Sequence, residues 1–361
     1  MAETRTFTVE QALSAQADSC GRAGSALYAT VLRGLVADHR SRGVTAALLD
    51  GVSEQPVHDA VPLRYLATAH RLALDGSAPH LAAHYPSCGG AWRPDDPADQ
   101  RDVVAAFLET ATARQDEFVE GLRRNVQTNE VGRAAVLASG FAWIARRCGL
   151  PLDQLEIGSS AGLLSRWDRF GYSTGTTGCG DVGSALRFGP EWYVDGPIDL
   201  SGDPTVARRR ASDITPIDIS TEAGRTRMVS FVWPDQLERV QRLQTALDIV
   251  RTVPMAIDRA DAGEWLGEQL ADGLATGLAT VVFHSIVWQY LAPPTRDALR
   301  AALQRAGDQA TDKRPLFWLR MEPATPEHAD LRVTMWPGAA TVHLADVGYH
   351  GADIRWIAAP A

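Results

Sequence analysis

Leu155-Glu156-Ile157-Gly158-Ser159-Ser160-Ala161-Gly162-Leu163-Leu164 decides how this chain is read: an apolar strand ending in an acid passes through glycines straight into a helical pattern. A strand that turns directly into a helix is the joint of an α/β domain, in which crossover helices cover a mostly parallel sheet. Gly158 and Gly162 let backbone approach a ligand closely. The start of the following helix presents unpaired N–H groups and a positive dipole end, which suits a carboxylate. A glycine-permitted turn with no ligand is the plain alternative.

Outward from this turn the two halves of the chain differ. After Pro151, β-rich runs alternate with helical ones. Strands are expected at 152–157, ending near Asp213, beginning at 254–257, and at 279–285 and 316–321. Helices are expected at 160–170, 235–250, 262–274 and 294–306. Residues 171–211 are rich in glycine and read as an insertion with a hairpin around 186–188 and 192–194. The closing segments 332–336, 341–345 and 354–357 alternate like antiparallel strands. Before Pro151 the pattern is helical, with one stripe at Leu27, Val31, Leu32, Leu35 and Val36 and others at Val103, Val104, Phe107 and Leu108 and at Phe118, Val119 and Leu122. The expected organisation is a helical domain or cap at 1–150 and an α/β domain at 151–361.

Composition narrows the function classes. The 361 residues carry a formal net charge of −9, which argues against the basic surface that nucleic-acid binding needs. Arg208, Arg209 and Arg210 form the densest positive cluster and read as a solvated strand edge or local ion pairing rather than a phosphate-binding face. Cys20, Cys88, Cys148 and Cys179 are far apart, so neither a zinc ribbon nor a disulfide framework is expected. Pro86 interrupts the spacing of His80, His84 and Cys88, and no metal is expected there. The start lacks an apolar signal core and no stretch is long enough to span a bilayer. The expectation is a cytoplasmic protein with no membrane and no nucleic-acid partner, acting on a small molecule.

The motifs along the α/β half follow one order. Glu156 and the glycine turn come first. Ser212-Asp213-Ile-Thr-Pro-Ile-Asp218 then puts an acid at a strand end, where ribose hydroxyls are held in dinucleotide folds. Ala256-Ile-Asp258-Arg-Ala-Asp261 precedes a helix that Asp261 is also suited to cap. Val281-Val-Phe-His284 continues through Tyr290 to Pro293-Pro294, and a histidine at a strand end is suited to accept a proton near neutral pH. Glu322 follows the fifth strand.

This order resembles the class I S-adenosylmethionine (SAM) methyltransferases, with Ser160 where that family often has its middle glycine. The resemblance implies a Rossmann-like, mostly parallel sheet with SAM as cofactor. Glu156, Gly158, Ser160 and Gly162 would then hold the methionine part, Asp213 the ribose and Asp261 the adenine, with His284 and Tyr290 at the catalytic end. Gly158-Ser-Ser160-Ala-Gly162 also matches G-x-S-x-G, the nucleophile elbow of α/β-hydrolases, for which Asp261 with His343 or His350 would complete a triad. Such an elbow follows several earlier strands, whereas the residues before Leu152 read as helices. A non-catalytic binding protein on the same fold is the third possibility.

Asn125-Val-Gln-Thr-Asn129-Glu130-Val-Gly-Arg133 joins two apolar helices with amide, acid and guanidinium groups. Asn129, Glu130 and Arg133 are candidate substrate-binding residues, and Asn129 or Thr128 equally suits a helix cap. Together with Glu156–Gly162, Asp213–Asp218 and Val232-Trp-Pro-Asp235, this segment resembles, over nearly the whole chain, a bacterial protein family known as a domain of unknown function. The chemistry of Trp233-Pro-Asp235 has no counterpart in the methyltransferase pattern.

Overall fold

Thr8 opens the first helix with a reciprocal cap: its hydroxyl accepts from Gln11 N at 3.2 Å, and the Gln11 side chain accepts from Thr8 N at 2.9 Å. The computed structural model describes residues 7–359. It begins with seven helices: α1 (Val9–Arg22), α2 (Ala26–Arg40), α3 (Val44–Leu49), α4 (Val61–Leu74), α5 (Pro79–Ala82), α6 (Pro97–Ala113) and α7 (Gln115–Arg123). Next come α8 (Ala134–Cys148), β1 (Leu152–Ile157), β2 (Gly171–Ser173), β3 (Gly178–Gly180), β4 (Arg187–Phe188), β5 (Tyr193–Asp195) and β6 (Val206–Asp213). The chain continues through α9 (Glu222–Ser230), α10 (Leu237–Val250), β7 (Asp258–Arg259), α11 (Ala262–Gln269), β8 (Ala279–Ser285) and α12 (Pro293–Gly307). It closes with β9 (Leu316–Pro323), β10 (Ala329–Trp336), β11 (Ala340–Val347) and β12 (Ile354–Trp356). No helix of the described residues is long and apolar enough to cross a membrane.

Two compact units result, one of Met1–Thr128 with Ile219–Gln241 and one of Asn129–Asp218 with Arg242–Ala361. In the helical unit the expected stripe Leu27, Val31, Leu32, Leu35 and Val36 is buried on α2. Tyr65 packs edgewise on Phe107 at 5.2 Å and tilted on Phe118 at 5.0 Å, and large buried side chains of this kind contribute roughly 1.5–3 kcal/mol each. Trp233 is buried in the same cluster.

The second unit is mixed α/β around a nine-stranded, mostly parallel sheet in the order β5-β12-β11-β10-β9-β8-β1-β6-β7. β1 pairs in parallel with β6 and β8, β6 with β7, and β8 with β9. β9, β10, β11 and β12 pair antiparallel, as the closing alternation predicts. All six residues of β1 are buried, which is what a strand covered on both faces requires. Leu155 and Ile157 pack into a cluster with Trp265, Leu266, Leu299 and Leu303 of α11 and α12. Phe141 of α8 covers the sheet through Phe283, at 5.1 Å edge to face, and stacks on Trp167 at 4.7 Å. A helix that precedes the first strand in the chain is thus part of the sheet's cover.

Three local expectations are corrected. The helix at 160–170 is a short 3₁₀ segment, Leu164–Arg169, broken at Arg166. The hairpin at 186–194 does not form: β4 joins β2 in a small three-stranded sheet, and β5 pairs with β12 at the edge of the large one. The third parallel strand lies at Asp258–Arg259 rather than starting at 254, and the residues before it place Met255 and Ile257 over Gly162.

Candidate functional site

The five parallel strands stand, in chain order, third, second, first, fourth and fifth across the sheet. The order reverses at β1, and the crevice beyond the strand ends at such a reversal is where open α/β sheets bind ligands. The glycine turn lies there. Gly158 and Gly162 have φ of 64° and 67°, and a Cβ would meet Val287 at 2.7 Å on the first and Met255 at 2.6 Å on the second. At Gly158 both the torsion and the space favour glycine, and at Gly162 the torsion does, since the Met255 methyl is the far end of a flexible side chain.

Two non-glycine residues at the strand ends share the left-handed region, Ser160 with φ 54° after β1 and Ile286 with φ 53° after β8. Such conformations cost about 1–3 kcal/mol and gather at functional sites. At Ser160 the strain is held by partners. Its N–H donates to Asp213 Oδ2 at 2.8 Å, and its carbonyl accepts from Ile217 N at 3.1 Å. Asp213 Oδ1 accepts from Thr215 N at 2.8 Å, so the acid at the end of β6 braces the turn of the neighbouring strand.

Glu156 is buried at the end of β1 with Ser165 Oγ bonded to its carboxyl group. Burial pushes the carboxyl up to about 8, against the opposing effects of Ser165 and the Arg166 guanidinium. Ser165 and Arg166 have no counterpart in the motif reading. Arg166 turns inward and donates to Gly162 O at 2.8 Å, Ala161 O at 3.3 Å and Val253 O at 2.7 Å. Two of these, Ala161 O and Gly162 O, are carbonyls that a regular helix would bond along its own ladder, which fits the broken 3₁₀ segment.

Asn129 Oδ1 accepts from Leu163 N at 2.9 Å, so its side chain serves the glycine turn and not the start of α8. Glu130 accepts from Gly132 N at 3.0 Å as the cap of a short 3₁₀ turn. Arg133 reaches the end of β8, donating to Ser285 O at 3.3 Å and to Tyr349 O at 3.1 Å. Asp261 caps α11, accepting from Gly263 N at 2.8 Å, and also accepts from Thr295 Oγ1 at 2.7 Å.

His284 is buried, with Nδ1 on Glu322 Oε1 at 2.6 Å and Nε2 accepting from Trp318 Nε1 at 3.1 Å. Both ring nitrogens are engaged. Tyr290 has 44% of its surface exposed. The protein packed around its hydroxyl nonetheless pushes the phenol up, with Gln289 and Arg133 acting against this and Glu322 with it. The structure therefore gathers Asn129, Glu156, Ser160, Gly162 and Asp213 around the turn after β1, and Arg133, His284, Tyr290 and Glu322 around the ends of β8 and β9. His343, one of the two histidines weighed as a partner for Ser160, lies on β11 within 2.9 Å of Asp346, with β10, β9 and β8 between it and β1.

A family described as "Uncharacterized protein conserved in bacteria (DUF2332)" matches residues 10–356, through both units. The chain belongs to this family. No curated protein and no solved structure matches it. Within this family member, Trp233-Pro234-Asp235 has a structural account. Trp233 is buried in the helical core, Pro234 O accepts from Ser87 N at 2.9 Å, and Asp235 accepts from Ser25 Oγ at 2.6 Å and Leu27 N at 3.0 Å.

Proposed function

We propose that the chain is a Rossmann-like, SAM-dependent methyltransferase acting on a small molecule. One observation carries the reading: the glycine turn after Glu156 stands at the reversal point of the strand order, with Asp213 at the end of the adjacent strand. Strand order and acid together match the pattern that holds an adenosine at the carboxyl ends of a parallel sheet.

The turn itself tests the fit of the cofactor. At the adenosine end the residues fit: Asp213 would hold the ribose and Asp261, at the start of α11, the adenine, while Ile214 beside Asp213 is 55% exposed and offers apolar cover. At the methionine end the turn departs from the family pattern. Ser160 N, Gly162 N and Leu163 N are bonded to Asp213, Ser159 O and Asn129, and the 3₁₀ segment lacks the dipole of a full helix. Side chains at the turn, Asn129 foremost, would therefore meet the methionine end. When bound, SAM supplies an electrophilic methyl group. The chain's own part is alignment, which is most of what methyl transfer asks of a protein.

The hydrolase alternative is weaker on topology. No strand precedes β1 among the described residues, and His343 on β11 has three strands between it and β1. Calorimetric titration with SAM and S-adenosylhomocysteine decides the reading, repeated on Ile214→Glu, an exposed position that the fold tolerates. Micromolar binding weakened at least tenfold in the variant is the expected result. Absence of heat at millimolar ligand sinks the proposal.

A further inference from the structure

Where β8 ends, Ile286 kinks the chain in the left-handed region at φ 53°, a conformation that β-branched residues rarely adopt because Cβ crowds the backbone. The kink brings two successive N–H groups onto one oxygen. Glu322 Oε1 accepts from Val287 N at 3.0 Å, from Trp288 N at 3.2 Å and from His284 Nδ1 at 2.6 Å. Successive N–H groups at such a bend form an anion-binding concavity, and here the chain fills it with its own carboxylate. An indole N–H can only donate, so the bond from Trp318 makes His284 Nε2 the acceptor and places the ring proton on Nδ1, facing Glu322.

Three donors converge on Oε1 and none on its twin. Glu322 Oε2 is buried and meets no hydrogen-bonding group among the described residues, although the side chain as a whole is 14% exposed. A buried carboxylate oxygen without a donor carries a desolvation cost that a charge-assisted hydrogen bond relieves. Nearby cations give Oε2 no hydrogen bond: Arg133 binds carbonyls, Arg300 lies over Trp288 at 4.9 Å, and Arg320 lies over Trp318 at 4.1 Å and acts on Glu322 only through its charge.

We propose that Glu322 Oε2 is the recognition point for an amine nitrogen of the small molecule bound at the ends of β8 and β9, with His284 as the positioning residue that fixes the carboxylate. The inference rests on the small-molecule reading of this strand-end crevice, and it makes the acceptor substrate of the proposed methyltransferase an amine: once the bound ammonium has lost a proton to solvent, its nitrogen lone pair would form the N–CH3 bond as the S–CH3 bond of SAM breaks and S-adenosylhomocysteine leaves. The ionic group expected on the ligand is thus positive, and carboxylates of the same size are excluded by like charge.

The test is calorimetric titration of the intact protein with benzylamine and phenethylamine as probes and benzoate as the acid control, each with and without saturating S-adenosylhomocysteine. The amines are expected to bind at millimolar or lower concentration and benzoate not at all. Glu322→Gln keeps an oxygen for the three donors and replaces Oε2 by a donor, so amine affinity should fall at least tenfold with S-adenosylhomocysteine affinity unchanged. No amine binding in either condition, benzoate binding as well as benzylamine, or an unaltered amine affinity in Glu322→Gln overturns the proposal. Should the variant not fold, crystals of the unsubstituted protein soaked in benzylamine decide: nitrogen within hydrogen-bonding distance of Oε2 supports it, and an amine bound elsewhere overturns it. Amine binding without S-adenosylhomocysteine binding sinks the methyltransferase reading alone. The converse sinks only this inference.

Discussion

Glu156 shows how a residue legible in a motif acquires chemistry that only its surroundings decide. Its position before the glycines is plain in the sequence, but the burial that pushes its carboxyl up to about 8 is not. A carboxyl raised in the folded state binds its proton more tightly there than in the unfolded chain, where it ionises near pH 4.3. Folding stability from this group therefore falls as pH rises from about 4.5 to about 8, by an amount on the order of 3–5 kcal/mol. Glu156→Gln removes the titration. Its advantage over the parent in urea denaturation should be small at pH 5 and grow to pH 8, and a difference that stays constant with pH would refute this account. Glu322 is the opposite case: the end of the fifth strand is foreseeable, whereas the grip of His284, Val287 and Trp288 on one oxygen follows from a backbone kink at Ile286 that residue types do not announce.

At the scale of elements, strands and helices with strong periodicity are legible and those built on distant partners are not. β8 lies where the apolar run predicts it, and α12 begins at its prolines. β5 fails as half of a hairpin because its partner, β12, is the last strand of the chain. The segment after Gly162 fails as a helix, and there the Arg166 side chain takes two carbonyls that a helical ladder would use. Trp233-Pro-Asp235 belongs to the same class, since Asp235 caps α2 some two hundred residues earlier in the chain by binding Leu27 N and Ser25 Oγ. Asp235→Ala strands an N–H at the start of a buried helix and should cost about 1–3 kcal/mol. Thermal denaturation measures it, and a melting temperature equal to the parent's would show that the cap carries no weight.

Across the molecule the two units hold buried titratable groups of opposite effect. His70, fully buried in the helical unit, donates from Nδ1 to Ser230 O (3.2 Å) and in its neutral form accepts at Nε2 from Ser87 Oγ (2.7 Å), and burial pushes it down to about 4. The unfolded chain takes up this proton near pH 6.5, so the stability from neutral His70 is present above that value and is lost as pH falls toward 4, by about 3 kcal/mol. His70→Gln should cost most at pH 7.5 and progressively less toward pH 4.5, as chemical denaturation across that range will show; a gap that widens in acid overturns the assignment. The alternation of strands and helices after Pro151, the helical character before it, and the glycine turn with its acids at successive strand ends can all be read along the chain. Those features are local, set by periodicity and by the torsions that glycine permits. It takes the folded chain to show that residues 219–241 join the helical unit, that α8 covers the sheet, and that Asp213, Asn129 and Arg166 hold the turn. Those are contacts between residues far apart in the chain, chosen by burial and hydrogen-bond satisfaction across the whole fold, and no local pattern encodes them.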